Sequence, residues 1–490
     1  MIDWLPWSAE AFSRAVRERK PVLLSITAAW CHACHEMDRT TYADPEVEAI
    51  VRARFLAVRV DTDRRPDINE RYNLGGWPTT AFLTPAGEVI AGSTFVAADR
   101  MPGLLTRVAS AFATAEQRAA EHTNHAENVD HKAADHADHA DHAVHTDHAD
   151  YTDHAVHAVH ANHAEDSGLI ASIFATFDEA HGGFGIEPKF PHTAPLHLAM
   201  ALFRETGDER WRAIVEATLD AMANGGLWDA GGGGFYRYAT TRDWRLPHPE
   251  KLLETNAEVL RACAEAALVF GRQVDRDRCA ATAAFITGTL RVETGGYRGS
   301  DADRMLYMDG NAKAAGALVG AATVLDDSAL AREALASFER VILLCYKPGA
   351  GLAHYSDGVA RVRNLLADQI YTAGALLDAH DVSGLEPYKM MAEELARVAV
   401  RELWDGAGGG FFDRAGHESD VGLLRTRRKP CVLNAEAAST LARLERTSGD
   451  AWFRTYAEGA LAAASEQLAG QGPLAAHYVL AARQLRPVIS

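Results

Sequence analysis

The chain has 490 residues, too many for one ordinary core, because single cores stop growing near ~250–300 residues, so at least two domains are expected. With 49 basic against 67 acidic side chains the formal charge is −18, which repels polyphosphate and argues against nucleic acid or an anionic membrane surface as a partner. The opening "MIDWLPWSAEAFSRAV" has neither a basic n-region nor an apolar h-region, no later window is apolar enough to span a bilayer, and six cysteines in so long a chain are not a disulfide framework; a reducing, cytoplasmic location is expected.

Residues 1–118 alternate strand-like and helix-like runs. "PVLLSIT" and "FLAVRVD" are apolar strands, and "TTAFLTPAGEVIAGSTF" is a hairpin around Pro85-Ala86-Gly87, which makes this an α/β unit. Between them lies "WCHACHEM", in which Cys31 falls where a strand gives way to a helix. Unpaired N–H groups and the dipole at a helix N-terminus favour thiolate over thiol, so Cys31 is the expected attacking sulfur and Cys34 the resolving one. Pro78, in "GGWPTT", is expected to follow a cis bond beside the dithiol, and His32 or His35 is a candidate proton acceptor for the resolving thiol. The alternatives for this motif are c-type haem attachment, a zinc clamp from both cysteines and both histidines, and inert thiols.

Residues 119–166 collapse to Ala, Asp and His, as in "DHADHADHAVHTDHADYTDHAVHAVHANH". Such a tract buries no apolar area to offset its chain entropy and is expected to be a disordered linker, with metal buffering as the functional alternative.

From residue 167 to 490 the chain is helical and repetitive. Glycine–aromatic turns recur at "HGGFG", "GGGGFYRY", "GGYRG", "GAGLAHY", "GAGGGFF" and "GQGPLAAHY", a period of about 50–60 residues. Each is followed by two helices that cannot cover their own apolar faces, so the six units are expected to close into an (α/α)6 toroid. Polar residues stand where the inner helices begin: Glu254 and Asn256, Asp309 and Asn311, Asp368 and Gln369, Asn434 and Glu436, with His248 and Glu250 just upstream in "LPHPEK" and His192 in "KFPHTAP". Helix capping accounts for part of this pattern. The rest suggests a funnel for a sugar or other polyol, with His248, Glu250, Glu254, Asn256, Asp309, Asp368 and Glu436 as substrate-binding residues and Trp228, Phe235, Tyr236, Tyr238, Tyr297, Tyr355 and Phe411 as stacking rings. Cys431 is a further candidate at an inner-helix start. No cofactor is expected, no residue is assigned to a metal, and the expected partner is a disulfide-containing or small-molecule substrate, carbohydrate included, with neither nucleic acid nor membrane.

The N-terminal part resembles the thioredoxin fold in its Trp-Cys-x-x-Cys, in "VRVDTDRRPDINERYNL" as the next strand and helix, and in Gly-Trp-Pro-Thr at the cis-proline position. It departs at Ser25, where thioredoxins carry a buried acid. The whole chain, through "DWLPWSAEAFSRAVRERKPVLLSI", "WCHACHEMDRTTYADPEV", "GGWPTTAFLTPAGEVIAG", "GGFGIEPKFPH", "DAGGGGFYRYATTRDWRLPHPEKLLETNAE" and "DGNAKA", resembles the DUF255 family of thioredoxin-like plus six-hairpin proteins, the spermatogenesis-associated protein 20 type. Ala33, Glu254 and Asp309-Gly310-Asn311 depart from the family pattern. The resemblance implies a multidomain α/β plus all-α chain: a thioredoxin-like thiol–disulfide oxidoreductase domain fused to a glycosidase-like toroid. A saccharide epimerase or hydrolase with a structural thioredoxin domain, and a metal-binding or redox-sensing adaptor, are the alternative readings.

Overall fold

The structure, a computed structural model, describes residues 1–130 and 163–486, so most of the His-rich tract lies outside the described residues. Contacts divide the chain into two units, Met1–His157 with His417–Thr426, and Ala158–Gly416 with Arg427–Ser490.

The first unit runs β1 (Leu5–Pro6), α1 (Ala9–Glu18), β2 (Val22–Thr27), α2 (His32–Arg39), α3 (Pro45–Arg54), β3 (Leu56–Asp61), α4 (Pro66–Tyr72), β4 (Thr79–Leu83), β5 (Val89–Ser93) and α5 (Met101–Asp130). The sheet order is β1-β3-β2-β4-β5, with β2 parallel to β3 and antiparallel to β4. β2 is apolar at nearly every position because helices cover both faces of the sheet. Val22, Leu24 and Ile26 pack with Phe12 of α1 and Ile68 and Tyr72 of α4, while Leu23 packs with Met37, Val47 and Met101 of α2, α3 and α5. The expected hairpin forms around Pro85-Ala86-Gly87, and the Trp77–Pro78 bond is cis. α5 passes the expected boundary at residue 118 and continues to Asp130, since the Ala- and Glu-rich start of the tract is a good helix former. The segment 417–426 joins this unit by seating Leu424 in its core. Arg71 donates to the carbonyls of Leu423 (3.1 Å) and Thr426 (2.9 Å), and the Tyr72 hydroxyl accepts the Leu423 N–H (2.8 Å).

Among the described residues the second unit contains six helical hairpins. An inner ring is made by α7 (Ala194–Thr206), α9 (Leu253–Phe270), α11 (Met308–Leu325), α13 (Leu366–Ser383), α15 (Cys431–Ser448) and α17 (Ala476–Leu485), each touching the next and α17 closing on α7. The outer helices are α6 (His163–Phe174), α8 (Glu209–Gly225), α10 (Gln273–Phe285), α12 (Ser328–Cys345), α14 (Glu386–Leu403) and α16 (Ala451–Ser465). This is the (α/α)6 toroid. One turn is elaborated into a small sheet, β6 (Tyr346–Lys347), β7 (Gly351–Ser356) and β8 (Ala360–Arg363).

Repeated clamps fix the glycine–aromatic turns to the inner helices. Asn256 Oδ1 accepts the Phe235 N–H (2.7 Å) while its Nδ2 donates to the Phe235 carbonyl (3.0 Å). Asn311 does the same to Tyr297 (2.7 and 2.8 Å), Asn434 to Phe411 (2.7 and 3.0 Å) and Gln369 to Leu352 (3.1 and 3.2 Å). Close approach requires glycine just before the clamped residue: Gly410 has φ +76°, and a Cβ there would lie 2.3 Å from Ala463 Cβ. Two sequence expectations are corrected by this geometry. Asn256 is a fully buried clamp rather than a ligand-binding residue, and Phe235, Tyr297 and Phe411 are core rings rather than funnel walls, because the turns that carry them fold inward against the outer helices.

Candidate functional site

In the first unit Cys31 is the N-cap of α2, in extended conformation, and its Sγ accepts the Cys34 N–H at 3.1 Å. The two cysteines form a disulfide and are both buried. Trp30 packs its ring against Trp77 (5.5 Å between centroids) and donates through Nε1 to Asp63 (2.7 Å), which brings the Trp77–Pro78 turn beside the dithiol. Ser25 stands fully buried on β2 at the position where thioredoxins hold an acid. His32 is exposed and the His35 ring bonds the Ala29 carbonyl (2.8 Å), so the four residues of the zinc-clamp alternative do not converge.

In the second unit the first two turns of the inner helices assemble a charged layer around the toroid axis. On α9 the residues Glu254, Glu258, Arg261 and Glu265 share one face at helical spacing. Lys313 of α11 pairs with Glu254 and with Glu258 (2.8 Å) and sits 4.5 Å over the Tyr371 ring of α13. Glu436 of α15 pairs with His477 of α17. Deeper along the axis Asp378 holds Arg261 (3.2 Å) and Arg443 (2.8 Å), and Glu265 holds His197 (2.5 Å) and Arg204 (2.7 Å). Glu254, at the start of α9, keeps 58 % of its side-chain surface accessible to water.

The charges tune one another. Lys313 holds the Glu254 carboxyl below the usual range. Burial works against ionisation of Lys313, but Glu254 and Glu258 outweigh it and keep the ammonium protonated. Burial likewise opposes a charge on His477, and the Glu436 carboxylate overcomes it, so the imidazolium persists above its ordinary range. His192 moves the other way, pushed down first by burial and then by charged His477. Burial and neighbouring charge thus set these two imidazoles apart in proton affinity.

The other expected residues fall into two further groups. His248 lies 2.6 Å from Glu250, poorly aligned for a hydrogen bond, with Tyr238 stacked on its ring (5.0 Å); burial raises the Glu250 carboxyl, with His248 and Arg237 opposing. Arg237 also acts on Glu254, which links this group to the axial layer. Asp309 and Asp368 meet at His354 of β7, whose Nδ1 is 3.0 Å from Asp368 and 3.9 Å from Asp309. Burial pushes the Asp368 carboxyl up to about 6, with His354 opposing. Cys431 is buried, bonds the Ala464 carbonyl (3.4 Å) and has a thiol pushed up by burial. Sequence reasoning missed Lys313, Tyr371, His354 and His477. The two histidines carried a signal: both stand in an Ala-His-Tyr triplet closing a glycine-rich turn, "GLAHY" and "PLAAHY".

Residues 1–134 match a family described as "Protein of unknown function, DUF255". Spermatogenesis-associated protein 20 of Mus musculus is 31 % identical over 315 residues, 62 % of this chain and 39 % of that protein, so the chain spans about two fifths of the length of the curated relatives it matches. The thiol:disulfide interchange protein DsbD 1 of Pseudomonas aeruginosa is 37 % identical over 82 residues, 16 % of this chain and 14 % of that protein. Among solved structures, cellobiose 2-epimerase from Spirochaeta thermophila superposes with a TM-score of 0.55 at 16 % identity, covering 65 % of this chain and 95 % of that one; at this identity the likeness is one of fold. The chain thus joins a thioredoxin-like region bearing a Cys31–Cys34 pair to a toroid of the epimerase and glycosidase fold.

Proposed function

We propose that this chain, which carries a DUF255 region ahead of a toroid, is a thiol–disulfide oxidoreductase acting through Cys31 and Cys34. The observation that supports it is the Cys31 sulfur at the N-terminus of α2, accepting the Cys34 N–H at 3.1 Å, where backbone donors and the helix dipole favour a thiolate. In the reduced protein the Cys31 thiolate attacks one sulfur of a substrate disulfide, a mixed disulfide forms and the other sulfur leaves as thiolate. Cys34, deprotonated, then attacks Cys31 Sγ and releases the second thiolate, so two electrons pass to the substrate and the protein is left with the Cys31–Cys34 disulfide. The interchange activity named for the Pseudomonas relative accords with this. The test follows reduction of a small aromatic disulfide by the pre-reduced protein. Cys31→Ser should abolish turnover and Cys34→Ser should trap the mixed disulfide; an undiminished rate in Cys31→Ser would refute the assignment.

A second reading belongs to the toroid, and the paired histidines favour it. Burial, with His477, lowers His192 while Glu436, against burial, raises His477, the separation a general base and a general acid need. With Lys313 and Tyr371 offering donors to hydroxyl or carbonyl oxygens, the chamber suits proton transfer at the carbon beside an aldose carbonyl: His192 takes the C2 proton while His477 protonates the developing enolate oxygen, the enediol turns about its C2–C3 bond, and His192 returns the proton to the opposite face of C2 as the enol oxygen gives its proton back to His477. Incorporation of solvent deuterium at C2 of glucose, mannose or cellobiose, followed by NMR, tests it. Exchange lost in His477→Asn supports the reading, and the absence of exchange in the wild type with all three sugars rejects it for them.

A further inference from the structure

We propose that Asp309, His354 and Asp368 form a binding site for one divalent first-row cation. The three come from the first turn of α11, from β7 and from the first turn of α13, and one donor atom from each lies within 4.8 Å of the others. His354 Nδ1 is 3.0 Å from Asp368 Oδ1 and 3.9 Å from Asp309 Oδ1. A tetrahedral ion with bonds of ~2.0–2.1 Å to nitrogen and oxygen needs donor–donor edges of ~3.3 Å, which lies between the two distances to His354, while the Asp309–Asp368 edge lies within 4.8 Å.

Exposed acidic groups are common without any ion, and this one differs in its burial. His354 is 3 % and Asp368 0 % exposed at the side chain, while Asp309 is 30 % exposed. Asp368 Oδ2 is buried with no hydrogen-bond partner, a costly state for a carboxylate oxygen and one that a cation relieves. Two carboxylates against one imidazole also leave charge uncompensated. A proton on His354 balances one of them, whereas a divalent ion balances both and leaves the ring neutral as a ligand.

The donors are held as ligands usually are. Tyr307 stacks on the His354 ring (5.3 Å) and is itself anchored through its hydroxyl to Asp303 (2.6 Å), and Asp309 Oδ1 accepts the Gly310 N–H (2.7 Å). One imidazole with two carboxylates suits Mn²⁺, Fe²⁺ or Zn²⁺ rather than the soft ions that thiolates select. Asp309 precedes Lys313 by one turn on the same face of α11, and Asp368 bears the same relation to Tyr371 on α13, so the ion would sit one turn beyond the charged layer with its open positions toward water on the Asp309 side. The site stands independently of both readings of the activity.

The test uses Mn²⁺, which an imidazole-rich tract binds more weakly than Zn²⁺, so the histidine-rich segment retained in every variant interferes least. Full-length, tag-free protein is stripped with chelator and titrated with Mn²⁺, free ion being counted by its electron paramagnetic resonance signal. Wild type should take up one tight equivalent that Zn²⁺ displaces. Asp368→Asn and His354→Gln should lose it, and Asp309→Asn, at the accessible edge, should weaken it at least tenfold. If the buried variants do not fold by circular dichroism, Asp309→Asn decides alone. Uptake unchanged in Asp309→Asn, or no tight equivalent in the wild type, overturns the proposal.

Discussion

Truncating Asn256 to Ala should destabilise the toroid even though sequence alone makes it a binding residue. The side chain is completely buried and its amide makes three hydrogen bonds, to the Phe235 N–H (2.7 Å), the Phe235 carbonyl (3.0 Å) and the Leu252 carbonyl (2.8 Å). The Leu252 carbonyl keeps the Asn256 backbone N–H as a partner, so truncation orphans two groups, both on Phe235. Each buried orphan costs roughly 1–3 kcal/mol, which gives about 2–6 kcal/mol in all. With an unfolding entropy of about 2.1 cal/mol/K per residue, a unit of roughly 300 residues loses about 3–9 °C in melting temperature. The assay is thermal unfolding of the full-length chain followed by far-ultraviolet circular dichroism, with Glu293→Gln, exposed in a turn of the same unit, as the control expected within about a degree of wild type. Asn434→Ala, which breaks the equivalent clamp on Phe411, should fall with Asn256→Ala. If Asn256→Ala melts with the control, the clamp argument is wrong and the side chain is free for another task.

Asp178→Asn should destabilise the toroid by about 3–5 kcal/mol, because it leaves Lys189, fully buried and 2.7 Å from the carboxylate, without its counter-charge. Arg242 and Lys189 hold the Asp178 carboxyl well below the usual range, so its contribution is present above about pH 4 and lost as pH falls through the depressed value; the variant should lose that acid limb in urea midpoints measured against pH. Gly422→Ala should destabilise the first unit by more than about 2 kcal/mol, since the residue has φ +59° and a Cβ would lie 2.2 Å from the Tyr72 hydroxyl and 2.8 Å from the Gly87 carbonyl; unchanged denaturation would argue that the 417–426 segment can lift away. Any proton-transfer activity of the chamber should rise with pH as His192, lowered by burial and by His477, becomes neutral, and fall as His477, raised by Glu436 against its burial, loses its proton; a maximum confined to acid pH would contradict those roles.

Local chemistry made much of this protein legible without coordinates. The strand–Cys-x-x-Cys–helix order, the hairpin around Pro85-Ala86-Gly87 and the recurrence of glycine–aromatic turns are all set by residues near one another in the chain, where hydrophobic period and turn chemistry act directly. The polar residues at the inner-helix starts were visible for the same reason. Their division of labour was not. Glu254 and Asn256 are two residues apart on α9, which turns them about 200° around the helix axis, so one faces the chamber and the other the Phe235 turn; only the neighbours of α9 settle which.

Longer-range pairings were beyond the reach of sequence pattern. His192 and His477 meet because α17 closes the ring on α7, bringing the two ends of the toroid sequence together. Asp309, His354 and Asp368 converge because α11, β7 and α13 are neighbours, and no spacing rule spans the intervening outer helix and turn. The segment 417–426, unremarkable in composition, belongs to the first unit through Leu424 and the bonds from Arg71 and Tyr72. Helices and turns could be read from residues close together in the chain, because their signals are periodic and local. Which side chains share a chamber depends on helix rotation and ring closure, and neither is written in any short stretch of residues.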